Sequence, residues 1–180
     1  MTCSSAPIAA EHELRKYIRD LPDYPSPGIT FRDITPLLAN PYAFKLAISE
    51  LGNLVPDGTA FIAGMEARGF IFGSALAQHL DVGFIPVRKA GKLPPPVKSY
   101  TYELEYGTAT VEMRDGAVPA GAHVVLLDDV LATGGTARAG VTLLEQVGAN
   151  VTTALFLMEL LGLEGRDQLK GRAVATLMAL

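Results

Sequence analysis

A run of acidic, hydroxyl and glycine residues in the second half of the chain has the composition of a sugar-phosphate site. Its members are Asp128, Asp129, Ala132, Thr133, Gly134, Gly135 and Thr136. Glycines let backbone N–H groups approach an anion closely, and the N-terminus of a following helix adds a favourable dipole. Two ionised carboxylates can accept hydrogen bonds from a pair of ribose hydroxyls. The run therefore predicts a site for ribose 5-phosphate.

The context of this run separates that interpretation from simpler ones. An acidic pair at a strand end is often a solvated turn, and Thr-Gly-Gly-Thr alone could be a loop that caps a helix. Here a buried apolar strand precedes the run and a helical pattern follows it, which favours a functional loop. It is not a Walker A loop, and the near match at residues 64–69 is followed by Phe70 instead of lysine.

The elements that position these residues alternate between short apolar strands and amphipathic helices. Strands are predicted at residues 60–63, 82–87, 123–127 and 151–157, with a strand pair at 99–106 and 108–113. Helices are predicted at residues 11–20, 70–80 and 136–147, and one more begins at Asn40-Pro41. This alternation indicates an α/β fold with a mostly parallel sheet flanked by helices. Such sheets bind ligands at the carboxyl ends of their strands.

Composition excludes several classes of protein. The 180 residues are 49% hydrophobic and 19% charged, which suits a single globular domain. A net charge of −4 gives no reason to expect a nucleic-acid or membrane partner. Cys3 is the only cysteine, so neither an intrachain disulfide nor a multi-cysteine metal site can form. With no signal peptide and no long apolar run, we expect a cytoplasmic protein.

Five segments, in order along the chain, resemble the type I phosphoribosyltransferases and in particular their adenine-specific branch. They are residues 25–38, 66–70, 87–94, 104–107 and the run at 128–136. The resemblance implies a single phosphoribosyltransferase domain over 1–180, with a tail at 1–10 that we expect to be disordered. It also implies a base-binding hood at 21–40, a lid loop at 90–106 and a homodimer.

The resemblance implies purine salvage, in which adenine and phosphoribosyl pyrophosphate give AMP and pyrophosphate. Magnesium would be carried mainly by phosphoribosyl pyrophosphate and water, with no protein metal site. The backbone at Glu66, Ala67 and Arg68 would hold pyrophosphate, often through a cis non-proline peptide. Further cations for pyrophosphate would be Arg88, Lys89 and Lys92. Arg68 would also stabilise charge in the transition state.

By the same resemblance, adenine would bind at Ile29, Thr30, Phe31 and Arg32, with Phe31 stacking on the purine. Tyr106 would cover the site, and Glu105 would accept the proton that leaves adenine. Thr30 departs from the family pattern, where an aliphatic residue is common, and so does the lid sequence at 94–99. Glu159 is family-like, and either a place near the base or a structural role fits it.

Two other functions fit the same motifs. A phosphoribosyltransferase for an oxopurine (hypoxanthine, guanine or xanthine) would need donors where an adenine enzyme has acceptors, and main-chain recognition cannot be seen in sequence. A regulator that binds phosphoribosyl pyrophosphate without catalysis usually carries a DNA-binding segment or a basic face. The acidic charge and the retained Arg68 and Glu105 favour catalysis over regulation.

Overall fold

A seven-stranded sheet forms the centre of the molecule, in a computed structural model that describes residues 8–103 and 107–180. Its strand order is β5-β6-β4-β3-β7-β8-β9. The strands are β3 (Phe61–Met65), β4 (Gly83–Lys89), β5 (Val97–Glu103), β6 (Thr108–Arg114), β7 (His123–Leu131), β8 (Asn150–Glu159) and β9 (Val174–Ala179). Strands β4, β3, β7, β8 and β9 lie side by side in that order and pair in parallel. Strand β6 pairs antiparallel to β4, and β5 pairs antiparallel to β6. The predicted mostly parallel sheet is confirmed.

Helices cover both faces of this sheet. They are α1 (Ile8–Arg15), α2 (Thr35–Ala39), α3 (Pro41–Gly52), α4 (Arg68–Leu80) and α5 (Gly135–Gln146). One buried cluster joins α1–α4 to inward side chains such as Ile62, Val125 and Leu155, and the other joins α5 to Ala63, Leu126 and Phe156. Alternate residues of each central strand thus point to opposite cores, which explains why these strands are apolar throughout. The predicted start of α3 is confirmed, because Asn40 Oδ1 accepts from the amides of Tyr42 and Ala43 at 3.0 Å.

Two predicted boundaries were wrong. The helix predicted at 11–20 ends at Arg15, and Arg19–Leu21 forms a strand, β1, that pairs antiparallel with β2 (Phe31–Asp33). The strand predicted to end at residue 127 continues to Leu131, because its register with β8 extends to the Leu131–Glu159 pair. The two aspartates therefore lie within a strand instead of after it. Two short 3-10 turns, Leu161–Leu163 and Gly165–Leu169, connect β8 to β9.

Candidate active site

A cavity of about 770 Å³ opens where β3, β4 and β7 reach their carboxyl ends. Its lining includes most of the residues that the sequence predicts to bind substrate: Glu66, Ala67, Arg68, Arg88, Lys89, Asp128, Asp129, Ala132, Thr133, Gly134 and Thr136. Gly135, the remaining member of the sugar-phosphate run, is the first residue of α5. Three strand ends thus bring a carboxylate pair, a glycine loop and several cations to one cavity, as expected for a parallel sheet.

Asp128 and Asp129 form a carboxylate pair in this cavity, in which Asp129 is buried and Asp128 is half-buried. Asp129 is 3% exposed, and its backbone N–H donates to Asp128 Oδ1 at 2.9 Å. Burial, reinforced by the charge of Asp129, raises the pKa of Asp128 well above its ordinary value. Burial also raises the pKa of Asp129, against the opposing effect of Arg68. The pair therefore holds negative charge that donors from a ligand would stabilise.

Arg68 forms an ion pair with Asp129. Its Nε lies 2.9 Å from Asp129 Oδ2, and its guanidinium carbon is 5.4 Å from the centre of the Phe31 ring. The contact with Asp129 is an ion pair without hydrogen-bond alignment. Among residues 8–103 and 107–180, no group makes a hydrogen bond to Asp129 Oδ2. A buried acceptor that lacks a hydrogen-bond donor suits a ligand hydroxyl.

The glycine loop, loop 131–135, leads directly into α5. Gly134 has a φ of +83°, a conformation that side chains with a Cβ rarely adopt, and it stands at the N-cap of the helix. In the described part of the chain, no side chain caps this helix end. The first amides of α5 and the exposed hydroxyls of Thr133 and Thr136 are therefore available to an anion.

Tyr102 is a cavity residue that the sequence analysis missed. It lies on β5, is almost fully buried, and its hydroxyl is 3.2 Å from Thr136 Oγ1. The contact ties the antiparallel edge of the sheet to the start of α5. Alternation along 97–103 places Tyr100 and Tyr102 on one face of the strand, and that pattern was the available signal.

Glu66 holds Arg88 at the edge of the cavity. Its carboxylate accepts from Arg88 Nε at 3.2 Å, from Arg88 Nη2 at 2.8 Å and from the Lys89 amide at 3.0 Å. The hydrogen bonds from Arg88 lower the pKa of Glu66, which is therefore ionised. Arg88 also donates to the carbonyl of Lys92, an exposed residue outside the cavity lining. The Glu66–Ala67 peptide is cis, as the family resemblance implies.

The predicted base-binding residues lie beside the cavity and not in its lining. Ile29 and Thr30 are exposed, whereas Phe31 and Arg32 are half-buried on β2. Tyr24 meets Phe31 edge to face at a centroid distance of 5.4 Å. Arg32 Nη1 is 2.6 Å from Asp20 Oδ2 on the paired strand β1. Arg68, through its contact with Phe31, connects this segment to the cavity.

The remaining predicted residues divide into two groups. Glu105 and Tyr106, the end of the lid at 90–106, lie outside the described residues. In the described part of the lid, the Pro94 carbonyl accepts a hydrogen bond from Arg114 at 2.5 Å, and residues 97–103 form strand β5. Glu159 is buried and pairs with Arg166, and it does not line the cavity.

Within residues 8–103 and 107–180, no cluster of three or more His, Cys, Asp or Glu side chains could hold a metal ion. In the same part of the chain, no helix has both the length and the apolar character needed to cross a bilayer.

Comparisons with known proteins agree with this geometry. The family profile for the phosphoribosyl transferase domain matches residues 38–171. Over 167 residues the chain is 53% identical to the adenine phosphoribosyltransferase of Methylococcus capsulatus, covering 92% of this chain and 98% of that one. The crystal structure of the Thermoanaerobacter pseudethanolicus adenine phosphoribosyltransferase superposes with a TM-score of 0.91 at 46% identity, covering 94% and 99% of the two chains.

A ligand-bound relative has a similar fold. The Saccharomyces cerevisiae adenine phosphoribosyltransferase, complexed with D-2,5-dideoxy-2,5-imino-altritol 1,6-bisphosphate and adenine, superposes with a TM-score of 0.89. It is 42% identical and covers 94% of this chain and 99% of its own. The sugar bisphosphate and the base bound to that relative are the two classes of ligand that the cavity and the Phe31 segment predict.

Proposed function

Since the chain belongs to the adenine phosphoribosyltransferases of the type I phosphoribosyltransferase family, we propose that its cavity transfers the phosphoribosyl group of phosphoribosyl pyrophosphate to adenine. The observation that carries this assignment is the carboxylate pair of Asp128 and the buried Asp129, which lies beside the uncapped glycine loop and Arg68. A diol acceptor, an anion site and a cation in one cavity match the three parts of phosphoribosyl pyrophosphate.

The ribose and its 5′-phosphate would occupy the β7–α5 side of the cavity. Asp128 and Asp129 accept hydrogen bonds from the two ribose hydroxyls, and the buried Oδ2 of Asp129 gains a partner in doing so. The 5′-phosphate binds the first amides of α5 together with the hydroxyls of Thr133 and Thr136. These contacts hold the reacting carbon of the sugar at a fixed position.

Pyrophosphate would leave toward the β3–α4 side of the cavity. The bond between the sugar's C1 and the pyrophosphate oxygen breaks as adenine's N9 bonds to C1, and N9 loses its proton. Arg68 neutralises the departing charge, and the Ala67 amide and Lys89 add donors. Because Glu66 engages Arg88 through two of its nitrogens, we assign Arg88 mainly to shaping this edge. Glu105 takes the N9 proton and Tyr106 shields the site, both by family resemblance.

Magnesium would enter with the substrate. We propose that phosphoribosyl pyrophosphate and water supply most of its ligands, with Asp128 and Asp129 as nearby carboxylate oxygens of the kind that Mg²⁺ prefers. When bound, the metal neutralises charge on the pyrophosphate group. Arg68 would add to this neutralisation from the protein side.

Phe31 and the backbone of 29–32 would select adenine. Tyr24 packs against the half-buried Phe31 ring in a T-shaped arrangement, and an aromatic ring at this position suits stacking on a purine. The solved relatives that share this fold include one bound to adenine. We therefore prefer adenine over an oxopurine as the base.

Pyrophosphate release tests the proposal. Adenine, hypoxanthine, guanine and xanthine would be offered separately with phosphoribosyl pyrophosphate and magnesium. We expect turnover with adenine alone. Turnover with an oxopurine would overturn the base assignment, and tight binding of phosphoribosyl pyrophosphate without turnover on any base would indicate a regulator.

The family resemblance also supports a homodimer that acts in the cytoplasm. Light scattering would give twice the 19.1 kDa chain mass for the dimer, and a mass of one chain would contradict it. Cell fractionation would test the location.

A further inference from the structure

Glu159 is a buried carboxylate that the proposed reaction does not use. It ends β8, is 4% exposed and lies outside the cavity lining. Both of its oxygens accept from Arg166 Nε at 2.8 Å, and Arg166 Nη2 is 2.7 Å from Oε2. Separating this pair would leave a buried charge uncompensated, so each residue fixes the position of the other.

Arg166 belongs to the 3-10 turn Gly165–Leu169, which packs against the back of the glycine loop. A Cβ atom on Gly165 would overlap the carbonyl oxygen of Ala132 and come within 3.0 Å of the Leu131 side chain. A Cβ atom on Gly134 would likewise overlap the carbonyl oxygen of Gly165. The two backbones are thus in contact with no space for a methyl group between them.

The other end of the ion pair is anchored at the first residue of the same loop. Glu159 lies opposite Leu131 in the β7–β8 register, and the next amide, that of Leu160, donates to the Leu131 carbonyl at 2.9 Å. Arg166 in turn donates to the Val174 carbonyl at the start of β9 at 3.1 Å. The turn is therefore tied to both strands that flank it.

From this arrangement we propose that Glu159 and Arg166 are positioning residues that clamp the turn Gly165–Leu169 against loop 131–135. The clamp fixes the backbone N–H groups that bind the 5′-phosphate. The inference rests on the proposed function, since it concerns the phosphate subsite of that reaction. A glycine-rich loop without a side-chain cap has many accessible conformations, so a rigid support from behind reduces the ordering that phosphate binding must impose.

Glu159→Gln tests the clamp. We expect the KM for phosphoribosyl pyrophosphate and the Kd for ribose 5-phosphate, measured by calorimetry, to rise about tenfold. The KM for adenine should stay within about twofold of the wild-type value, which a general loss of structure would not produce. Glu145→Gln is the matched control, because Glu145 pairs with Arg172 at 2.8 Å on the surface. It should leave all three values unchanged.

Gly165→Ala provides an independent test, should Glu159→Gln fail to fold. It keeps the ion pair and displaces the loop only through its methyl group, so the same selective loss of affinity for the phosphorylated sugars is expected. Arg166→Lys, which keeps the charge and loses the planar fork, should show a smaller loss in the same direction.

Two results would overturn the clamp. One is a folded Glu159→Gln or Gly165→Ala variant that binds ribose 5-phosphate as the wild type does. The other is an equal loss of adenine and sugar-phosphate affinity in both variants. Failure of the wild type to convert adenine would instead count against the proposed function, because ribose 5-phosphate binding reports on the clamp without turnover.

Discussion

The Nε atom of Arg68 lies 2.9 Å from Oδ2 of Asp129, which joins a cation proposed for the pyrophosphate subsite to a carboxylate proposed for the ribose subsite. The same guanidinium contacts the Phe31 ring of the base segment. The Arg68 side chain, assigned to pyrophosphate, thus touches one residue assigned to the ribose and one assigned to the base. Binding at one subsite would alter the partners that Arg68 has for the others.

Replacing Arg68 should therefore damage turnover more than folding. For Arg68→Gln we expect kcat to fall by about 10²–10³, because the leaving pyrophosphate loses a charged donor. Steady-state kinetics on both substrates would measure this loss. Arg172→Gln, at the surface pair with Glu145, is the control and should turn over normally. Wild-type kcat in Arg68→Gln would remove Arg68 from the transition state.

Asp128 should cost the folded protein stability at neutral pH. Burial and Asp129 raise its pKa in the native state, whereas the unfolded chain titrates near the ordinary value of 3.8. Between these two pKa values the native state binds the extra proton, so stability falls as the pH rises through that window. Asp128→Asn removes the charge and should gain about 1 kcal/mol at pH 8, or about 2–4 °C in Tm.

Thermal denaturation at pH 8 and below about pH 3 checks this prediction. The gain should disappear below about pH 3, where Asp128 is neutral in both states of the wild type. The variant should meanwhile lose affinity for ribose 5-phosphate. A variant less stable than the wild type at pH 8 would show that the carboxylate is stabilised as an anion.

Phe31 should act on the base alone. Phe31→Leu keeps an apolar side chain but removes the ring, and we expect the KM for adenine to rise about tenfold, as a lost stacking contact of about 1–1.5 kcal/mol implies. The KM for phosphoribosyl pyrophosphate should change by less than about twofold. Initial rates with each substrate varied in turn would separate the two. An equal rise in both would place Phe31 in the general support of the cavity.

Glu105, which lies outside the described residues, is assigned to proton transfer by family resemblance. Glu105→Gln should lower kcat by about 10²–10³ with little change in either KM, in the range typical for a general base. An unchanged kcat would exclude Glu105 from the chemical step.

Most of the predicted site residues line the cavity because they lie at strand ends and at a helix start. The position of one strand was enough to predict where the run at 128–136 lies, and the segment at 66–68, implied by the family resemblance, follows a neighbouring strand, since parallel strands bring their carboxyl ends together. Even the error in the end of β7 did not move Asp128 and Asp129 out of the cavity. Hydrophobic patterning indicates which residues form a single strand, and that was enough here.

Contacts between distant segments could not be read in the same way. Tyr102 meets Thr136 across 34 positions, and although Arg166 is only seven residues from Glu159, no helical or strand periodicity links the two. The β1–β2 pair was missed because three-residue strands give too little periodicity to distinguish from a helix end. Such contacts depend on how whole elements pack, which no short window contains.

The most direct test of the account is the binding of each substrate to Asp129→Asn. Calorimetry would compare phosphoribosyl pyrophosphate with magnesium against adenine, with Asp57→Asn at an exposed turn as the control. We predict that Asp129→Asn weakens phosphoribosyl pyrophosphate binding by about tenfold or more and adenine binding by less than about twofold, because a charged acceptor of the ribose hydroxyls is lost. Equal losses for both substrates, or none for phosphoribosyl pyrophosphate, would contradict the assignment of this carboxylate pair to the ribose.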